Sequence, residues 1–175
     1  NNEEEKHAPE DFVNFKMRIP GGEVSQMTWQ AFGADPVTMS WSEVYNALQQ
    51  GTIDGHENGY QTLWSSNIQE VQKYITEANY IYDGYWLVFN ENDWNKLSEK
   101  TQELIREKAA EAIAYGRKYL EDDEARIKQE LIEGGNVVTE LTAEERQAFV
   151  EATQSVRDYF KEQFGAEAFA AMGIE

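Results

Sequence analysis

The sequence predicts an α/β fold built on parallel strands, for three reasons. Short runs of alternating hydrophobicity, as in residues 15–19, are each followed by a run with helical spacing. Turn residues separate these runs, such as the Pro-Gly-Gly of residues 20–22. Two strand–helix–strand units in succession favour parallel strands joined by right-handed crossovers, because antiparallel neighbours need only short turns.

The first unit begins with the strand at residues 15–19. A helix is expected from about Glu23, with Gly33 just beyond its last turn, where a left-handed residue ends many helices. Residues 37–39 form the second predicted strand.

The second unit continues from that strand. Ser40 and Glu43 have the spacing of a capping box, which predicts a helix ending at Gly51. Residues 52–54 form a third short strand. A further amphipathic helical segment is predicted by four apolar residues spaced by four, three and four: Trp64, Ile68, Val71 and Ile75.

The second half of the chain has a different pattern. Residues 78–90 are rich in aromatic and β-branched side chains, which predicts a long strand. A helix is then predicted from Ser98 to Glu133. It would be about 54 Å long if straight, which is too long for one compact lobe. Residues 137–139 form a short strand. Thr142 with Glu145 caps a last long helix, whose inward residues are Phe149, Val156, Phe160 and Phe164.

The charge balance excludes several partners. The 175 residues contain 15 Lys and Arg against 33 Asp and Glu, a formal net charge of −18. Nucleic acid and anionic lipid headgroups would be repelled over most of such a surface. We expect no nucleic-acid partner.

The residue inventory excludes other classes of protein. There is no cysteine, which rules out disulfides and thiol chemistry. No apolar run approaches the ~20 residues that span a bilayer. The chain opens with a polar stretch and no initiator Met, so we expect a processed or truncated start without a signal peptide.

Three predicted strand ends bring chemically useful side chains together. Ligands of open parallel sheets bind beyond the carboxyl ends of the strands. Arg18 lies at the end of the first strand, Trp41 begins the helix after the second, and Asn58 follows the third. These residues suit a small organic acid, because Arg offers a planar fork to a carboxylate and Asn both donates and accepts hydrogen bonds.

Each of these residues also has a structural alternative. Arg18 could pair with one of many acids, Trp41 could belong to the core, and Asn58 could be a turn residue. Asp54, His56 and Glu57 allow a second hypothesis, a hydrolase or metal-dependent enzyme. A third hypothesis treats residues 98–164 as helices that bind a protein partner.

Several segments of the chain resemble the solute-binding proteins of tripartite ATP-independent periplasmic (TRAP) transporters, of the C4-dicarboxylate-binding (DctP) type. The likeness runs from about Pro9 to the end of the long helix. The motifs that carry it are Lys-Met-Arg-Ile-Pro at 16–20, Phe-Gly-Ala-Asp-Pro at 32–36, Ser-Glu-Val-Tyr-Asn-Ala-Leu-Gln-Gln-Gly at 42–51, Thr-Ile-Asp-Gly-His-Glu-Asn at 52–58 and Glu-Val-Gln-Lys-Tyr at 70–74.

The resemblance implies a lobe like those of type II periplasmic binding proteins, with a parallel sheet flanked by helices, plus a partial second lobe. Family chains are considerably longer, so we expect this one to correspond to their C-terminal part. The implied organisation is a polar strand or linker at 1–12, an α/β lobe at 13–77, a hinge-crossing strand at 78–97, a lobe-spanning helix at 98–134, and a C-terminal strand with helices at 135–175.

The resemblance also implies functional residues. The family's carboxylate-binding arginine falls on Arg18, its asparagine on Asn58 and its aromatic residue on Trp41. Departures occur at His56 and Gly59, where family members usually have Gln and Pro. The remaining candidates for ligand contact are Glu57, Glu23, Tyr82 and Tyr85.

The implied function is that of a periplasmic binding protein without enzymatic activity, metal or cofactor. Such a protein delivers a sugar acid or a C4-dicarboxylate-like solute to a membrane permease. Other expected partners are the N-terminal lobe or a second copy of the chain.

Overall fold

The computed structural model describes residues 1–81 and 84–173. Within these residues the chain has two parallel sheets, flanking α-helices and two short 3-10 helices at Pro9–Phe12 and Ile68–Glu70. The strands are β1 (Lys16–Ile19), β2 (Asp35–Thr38), β3 (Gly55–His56), β4 (Tyr74–Glu77) and β5 (Val137–Glu140). The α-helices are α1 (Glu23–Ala31), α2 (Trp41–Gln49), α3 (Tyr60–Ser65), α4 (Glu91–Trp94), α5 (Glu99–Glu133), α6 (Ala143–Ala152), α7 (Gln154–Phe164) and α8 (Ala166–Ala171).

The first sheet has the order β2-β1-β3, with all pairs parallel. The predicted α/β fold is therefore confirmed, although the third strand lies at Gly55–His56 rather than at residues 52–54. Gly55 is required there, because a Cβ at this position would lie 2.7 Å from the Phe15 ring. Only a glycine allows β3 to approach β1 this closely.

The second sheet pairs β4 with β5 in parallel, so that Ile75 lies opposite Val138. The helix predicted through Ile75 is wrong. Helix α3 ends at Ser65, and Asn67 adopts a left-handed conformation with φ of 55°. A left-handed residue cannot continue a right-handed helix, and the chain reaches β4 through the 3-10 turn at Ile68–Glu70.

The long predicted helix is confirmed as α5, which has 35 residues. Ser98 caps it by accepting a hydrogen bond from the Thr101 N–H. Toward its C-terminal end, Ile127 and Leu131 pack among the apolar side chains of α2 and α3. Lys128 binds the carboxylates of Glu77 and Glu140, which ties α5 to both strands of the second sheet.

The segment predicted as a hinge-crossing strand is not a strand in its described residues. Residues 78–81 and 84–90 belong to neither helix nor strand, and the short α4 follows them. The Tyr85 side chain is 98% exposed, and Trp86, Leu87 and Val88 are exposed too. A strand needs backbone partners on a neighbouring strand, and no described residue supplies them here.

The C-terminal region was predicted as one helix and is three. The capping box is confirmed, with the Thr142 hydroxyl accepting from the Glu145 N–H at 3.2 Å and the Glu145 carboxylate accepting from the Thr142 N–H at 2.7 Å. Thr153 then separates α6 from α7. Phe149, Val156 and Phe160 pack inward, whereas Phe164, the last residue of α7, is 65% exposed.

Two smaller expectations are also corrected. Ser40 precedes α2, but its hydroxyl lies 3.0 Å from the Ser42 hydroxyl and forms no capping box with Glu43. The first twelve residues contain a 3-10 turn and no strand, yet they are anchored: Asn1 exchanges two backbone hydrogen bonds of 2.8 Å with Tyr74 at the start of β4.

None of the described helices combines the length and the apolar character needed to cross a bilayer.

Ile127 and Ile113 lie on α5, and replacing each of them tests which end of this helix contributes to the stability of the protein. Ile127 is 1% exposed and Ile113 is 51% exposed. We expect Ile127→Ala to lower the free energy of unfolding by about 2–5 kcal/mol, because it leaves a cavity in the core. Ile113→Ala, the matched control, should change it by no more than about 0.5 kcal/mol. Urea unfolding followed by circular dichroism measures both, and equal losses would contradict the packing described here.

Candidate functional site

The candidate site lies at the carboxyl ends of the first sheet. Arg18 is the third of four residues in β1, and the register pairs it with Val37 of β2 and His56 of β3. Met39 and Trp41 follow directly after β2. The strand order places β1 between its two neighbours, so side chains from both crossovers converge on Arg18.

Arg18 is buried, with 5% of its surface exposed. Its Nε and Nη2 both donate to the Met39 carbonyl, at 3.0 and 2.8 Å. Across residues 1–81 and 84–173, no carboxylate oxygen lies within 4.0 Å of the guanidinium. The expected structural alternative, an ion pair with a neighbouring acid, is therefore absent from the described residues.

The electrostatics of Arg18 follow from this position. Burial lowers the pKa of Arg18 from its ordinary value, while the negative charge of Glu57 acts in the opposite direction. An arginine remains protonated at pH 7 even so, because its ordinary pKa lies far above neutral pH. The Met39 carbonyl orients this positive charge, and the Glu57 carboxylate acts on it from beyond the 4.0 Å of an ion pair.

Trp41 forms the floor beside this charge. The Arg18 Cζ lies 5.2 Å from the centre of the indole, within the range of a cation–π interaction. The indole N–H donates to the Ser66 hydroxyl at 3.1 Å. Trp41 also packs against the apolar core between α2 and α5, so it is both a core residue and a wall of the site.

His56 also contacts Trp41. Its ring meets the indole edge-to-face, with centroids 5.5 Å apart. Its Nδ1 is buried and has no hydrogen-bond partner among the described residues. A buried polar atom without a partner costs about 1–3 kcal/mol. Burial lowers the pKa of His56 to about 4; the positive charges of the Asn1 amino group and of Arg18 act in the same direction, and a hydrogen bond with the Glu57 backbone opposes them.

Glu57 connects the site to the segment after β4. Its carboxylate lies near the Tyr80 hydroxyl, which accepts a hydrogen bond from the Trp29 indole N–H at 3.1 Å. Burial, with the Glu57 charge, raises the pKa of Tyr80. The Arg146 guanidinium holds the Ala78 carbonyl nearby. These bonds fix the first residues of that segment beside β3.

The remaining predicted residues lie in different surroundings. Asn58 is exposed just past β3, and its Oδ1 accepts from the Gly59 N–H at 3.1 Å, as expected of a turn residue. The Glu23 carboxylate accepts from the Tyr159 hydroxyl of α7 at 3.0 Å. Tyr85 projects into solvent, and Tyr82 lies outside the described residues.

The enzyme hypothesis finds little geometric support. The Asp54 carboxylate accepts a 2.7 Å hydrogen bond from the Lys16 N–H at the opposite end of β1, away from Arg18. Within the described ranges, no three His, Asp or Glu side chains are grouped to hold a metal ion.

A cavity also lies at that opposite edge. It has a volume of about 360 Å³ and is bordered by residues before β1 and β3. Its acidic lining residues are Glu3, Glu4, Glu10, Asp11 and Asp54, against the single cation Lys6. This charge repels a carboxylate, so the cavity does not compete with the Arg18 site.

Sequence reasoning missed three contributions to the site. The Met39 carbonyl accepts hydrogen bonds that position Arg18, the Tyr80 hydroxyl lies near the Glu57 carboxylate, and the Tyr159 hydroxyl donates a hydrogen bond to the Glu23 carboxylate. A backbone carbonyl has no sequence signal, and the two tyrosines are separated from their partners by 23 and 136 residues. His56 was weighed only as a metal or acid–base residue, because the register that pairs it with Arg18 exists only in the folded sheet.

Comparison with known proteins identifies the family. The family model of the bacterial extracellular solute-binding proteins, family 7 (DctP), matches residues 1–163. This chain belongs to the DctP family. The family resemblance expected from the motifs around Arg18 and Asn58 is thus confirmed.

Three proteins illustrate how this DctP-family chain matches its relatives. The C4-dicarboxylate-binding periplasmic protein DctP of Rhodobacter capsulatus is 36% identical over 165 residues, 94% of this chain and 50% of the relative. A TRAP periplasmic solute-binding protein from Shewanella oneidensis, solved with bound succinate, has a TM-score of 0.86 at 30% identity over 96% of this chain and 55% of the other. A TRAP periplasmic solute-binding protein from Polaromonas sp. JS666, bound to D-erythronate, has a TM-score of 0.87 at 31% identity. The match covers 98% of this chain and 56% of the other.

These matches show the fold of the chain and how much of each relative's length it corresponds to. The described fold is that of a TRAP periplasmic solute-binding protein, with parallel sheets flanked by helices. The DctP-family chain spans about half the length of the curated relatives it matches. Its relatives are solute-binding transport proteins rather than enzymes.

The depressed pKa of His56 predicts how stability depends on pH. Between pH 6.5, the ordinary value, and about 4, the unfolded chain binds a proton that the folded chain excludes. The free energy of unfolding should therefore fall as the pH drops through this window, by up to about 3 kcal/mol. In His56→Gln this contribution to the pH dependence should be absent.

Proton NMR of the imidazoles checks the same point directly. The chain has two histidines, so the resonance that disappears in His56→Gln belongs to His56. A His56 resonance that titrates near 6.5 in the folded protein would contradict the assignment.

Proposed function

We propose that this chain captures a small organic acid by clasping its carboxylate with Arg18, as the binding component of a TRAP transporter. The observation that carries the proposal is a buried guanidinium with no carboxylate partner among the described residues. Buried charges in proteins are normally paired, because removing them from water is costly. An incoming anion supplies the missing partner.

The geometry of the guanidinium supports this role. Arginine has five N–H groups, and the Met39 carbonyl receives two of them. The others remain for a ligand carboxylate, which accepts two parallel charge-assisted bonds from such a fork. At an effective dielectric constant of about 20, a contact pair gains up to about 4 kcal/mol before desolvation. The net charge of −18 opposes this only weakly, because surface charges are screened over about 8 Å in physiological salt.

Trp41 and Asn58 supply the rest of the recognition in this proposal. The indole covers an apolar side of the ligand and keeps water from the Arg18–carboxylate pair. The amide of Asn58, two residues beyond His56, donates to the second oxygen or accepts from a ligand hydroxyl. Glu57 keeps the Asn58 loop in place through Tyr80. A role for Glu23 in binding ligand hydroxyls requires that Tyr159 give up its hydrogen bond.

The ligand class follows from the site and is supported by the relatives. One fixed cation selects an anion, and the Asn58 amide suits a hydroxyl or a second carboxylate. The relatives with succinate and D-erythronate bind acids of this kind. We therefore propose a sugar acid or a C4-dicarboxylate-like solute, delivered to a membrane permease from the periplasm.

The same proposal includes a polypeptide partner for the exposed apolar surface. Tyr85, Trp86, Leu87 and Val88 are exposed, as are Leu104 and Ile113 on α5. Large apolar side chains exposed in such numbers are typical of an interface. The chain matches about half of each relative, so we propose that polypeptide equivalent to their other half covers this surface. Light scattering of the purified chain should give a monomer; a dimer that Trp86→Ser dissociates would indicate a second copy instead.

Arg18 substitutions test the proposed clasp. Arg18→Ala should weaken binding of succinate or D-erythronate by about 2–5 kcal/mol, as the loss of a buried charge partner does. Arg18→Lys should also bind poorly, because the charge stays but the planar fork is lost. Isothermal titration calorimetry measures both.

A matched control is available on α5. Arg126 is paired with Asp123 and Glu130 on the helix surface, so Arg126→Lys should leave the affinity unchanged. Affinity of the wild-type value in Arg18→Ala would overturn the proposal.

A further inference from the structure

We propose that His56 is a positioning residue for ligand binding, which holds the Trp41 indole against the Arg18 guanidinium from the face of the sheet that the two share. This inference rests on the proposed function, in which Arg18 and Trp41 contact the ligand. It assigns His56 neither a metal nor an acid–base role.

The register of the sheet places His56 where it can act on both residues. Arg18 and His56 are directly paired in parallel strands, so their side chains leave the sheet on the same face. Met17 and Gly55, the preceding pair, face the opposite side, where Phe15 fills the space over Gly55. The close approach at Gly55 thus brings the imidazole beside the guanidinium.

The contacts of Trp41 show what His56 contributes. The indole packs against the apolar core, and three further groups contact it: the guanidinium over its ring, the Ser66 hydroxyl at its N–H, and the edge of the imidazole at 5.5 Å. The guanidinium is the group that a ligand engages. On the side of the indole that is not in the core, His56 and Ser66 are therefore the contacts that remain while Arg18 binds a carboxylate.

The charge state of His56 fits a supporting role. At neutral pH the imidazole is uncharged, since burial lowers its pKa to about 4. A second cation beside Arg18 would repel the guanidinium, whereas a neutral ring packs against the indole without disturbing it.

Because the Nδ1 of His56 has no hydrogen-bond partner among the described residues, a role of His56 in binding can be distinguished from a role in stability. This atom is buried and finds no hydrogen bond among the described residues, so it lowers the stability of the folded protein. A hydrocarbon side chain of similar size would avoid that cost. The proposal therefore predicts that His56→Leu weakens binding without lowering stability.

The first experiment is a double-mutant cycle on ligand binding. In calorimetric titrations with succinate and D-erythronate, His56→Leu should weaken binding at least 10-fold, with an unfolding midpoint equal to or above that of the wild type. His56→Phe, which restores an aromatic edge, should recover most of the loss. In a Trp41→Leu background, His56→Leu should have less than a 2-fold further effect, because its action passes through the indole. Additive losses, or no loss in His56→Leu, would overturn the proposal.

A second measurement needs no ligand. The chain has five tryptophans, and the indole N–H resonance missing from Trp41→Phe identifies Trp41. Its exchange with solvent should be at least 10-fold faster in His56→Leu than in the wild type or His56→Phe, because the bond to Ser66 opens more often. An unchanged exchange rate would overturn the proposal. Failure of the wild type to bind any probe would count against the proposed function alone.

Discussion

A single buried guanidinium, oriented but not neutralised, is the feature on which the rest of the site depends. The Met39 carbonyl fixes two of the Arg18 N–H groups, and the Trp41 indole lies beside the positive charge. Neither group carries a formal charge, and the Glu57 carboxylate acts on the cation without forming an ion pair within 4.0 Å, so the guanidinium can still bind an anion. Placing it at the edge of a parallel sheet lets three loops contribute to one binding surface.

The stabilising contacts of the molecule lie away from this edge. The core between α2, α3 and α5 is formed by fully buried aliphatic side chains, and Lys128 joins α5 to the second sheet. A second core around Trp29 and Phe32 packs α1 against the first sheet. Functional sites require a rigid surround of this kind, because small displacements of binding groups weaken recognition. The site itself contains the opposite features, a buried charge and an unpartnered imidazole nitrogen.

The exposed part of the structure is as informative as the core. Residues 84–90 have the composition of a buried strand, yet they lie in solvent and pair with no described strand. The first half of α5 likewise exposes apolar side chains such as Leu104 and Ile113. In relatives of about twice this length, comparable residues belong to a larger protein. The hydrophobic pattern of these residues is thus not matched by burial among the described residues, which is why a partner is proposed for this surface.

Local signals were sufficient for much of the fold. The strand–helix alternation through α2, the full extent of α5 and the capping box of Thr142 with Glu145 depend on neighbours within a few residues, and all are present. The third strand was displaced from residues 52–54 to Gly55–His56. Local signals failed where distant contacts decide the outcome. Ile75 pairs with Val138 and became part of a strand, whereas the aromatic run near Tyr85 lacks a partner and did not.

The sequence by itself determined which residue types are available at the strand ends: one arginine, one tryptophan and one asparagine, in motifs that resemble a known family. Only the tertiary structure decided how they are used. It brought the Met39 carbonyl within hydrogen-bond distance of Arg18, packed the His56 ring against Trp41, and let the Tyr159 hydroxyl donate a hydrogen bond to Glu23. The reason is physical: hydrogen bonds and ring contacts depend on distances between groups far apart in the chain, and those distances are set by strand register and helix packing.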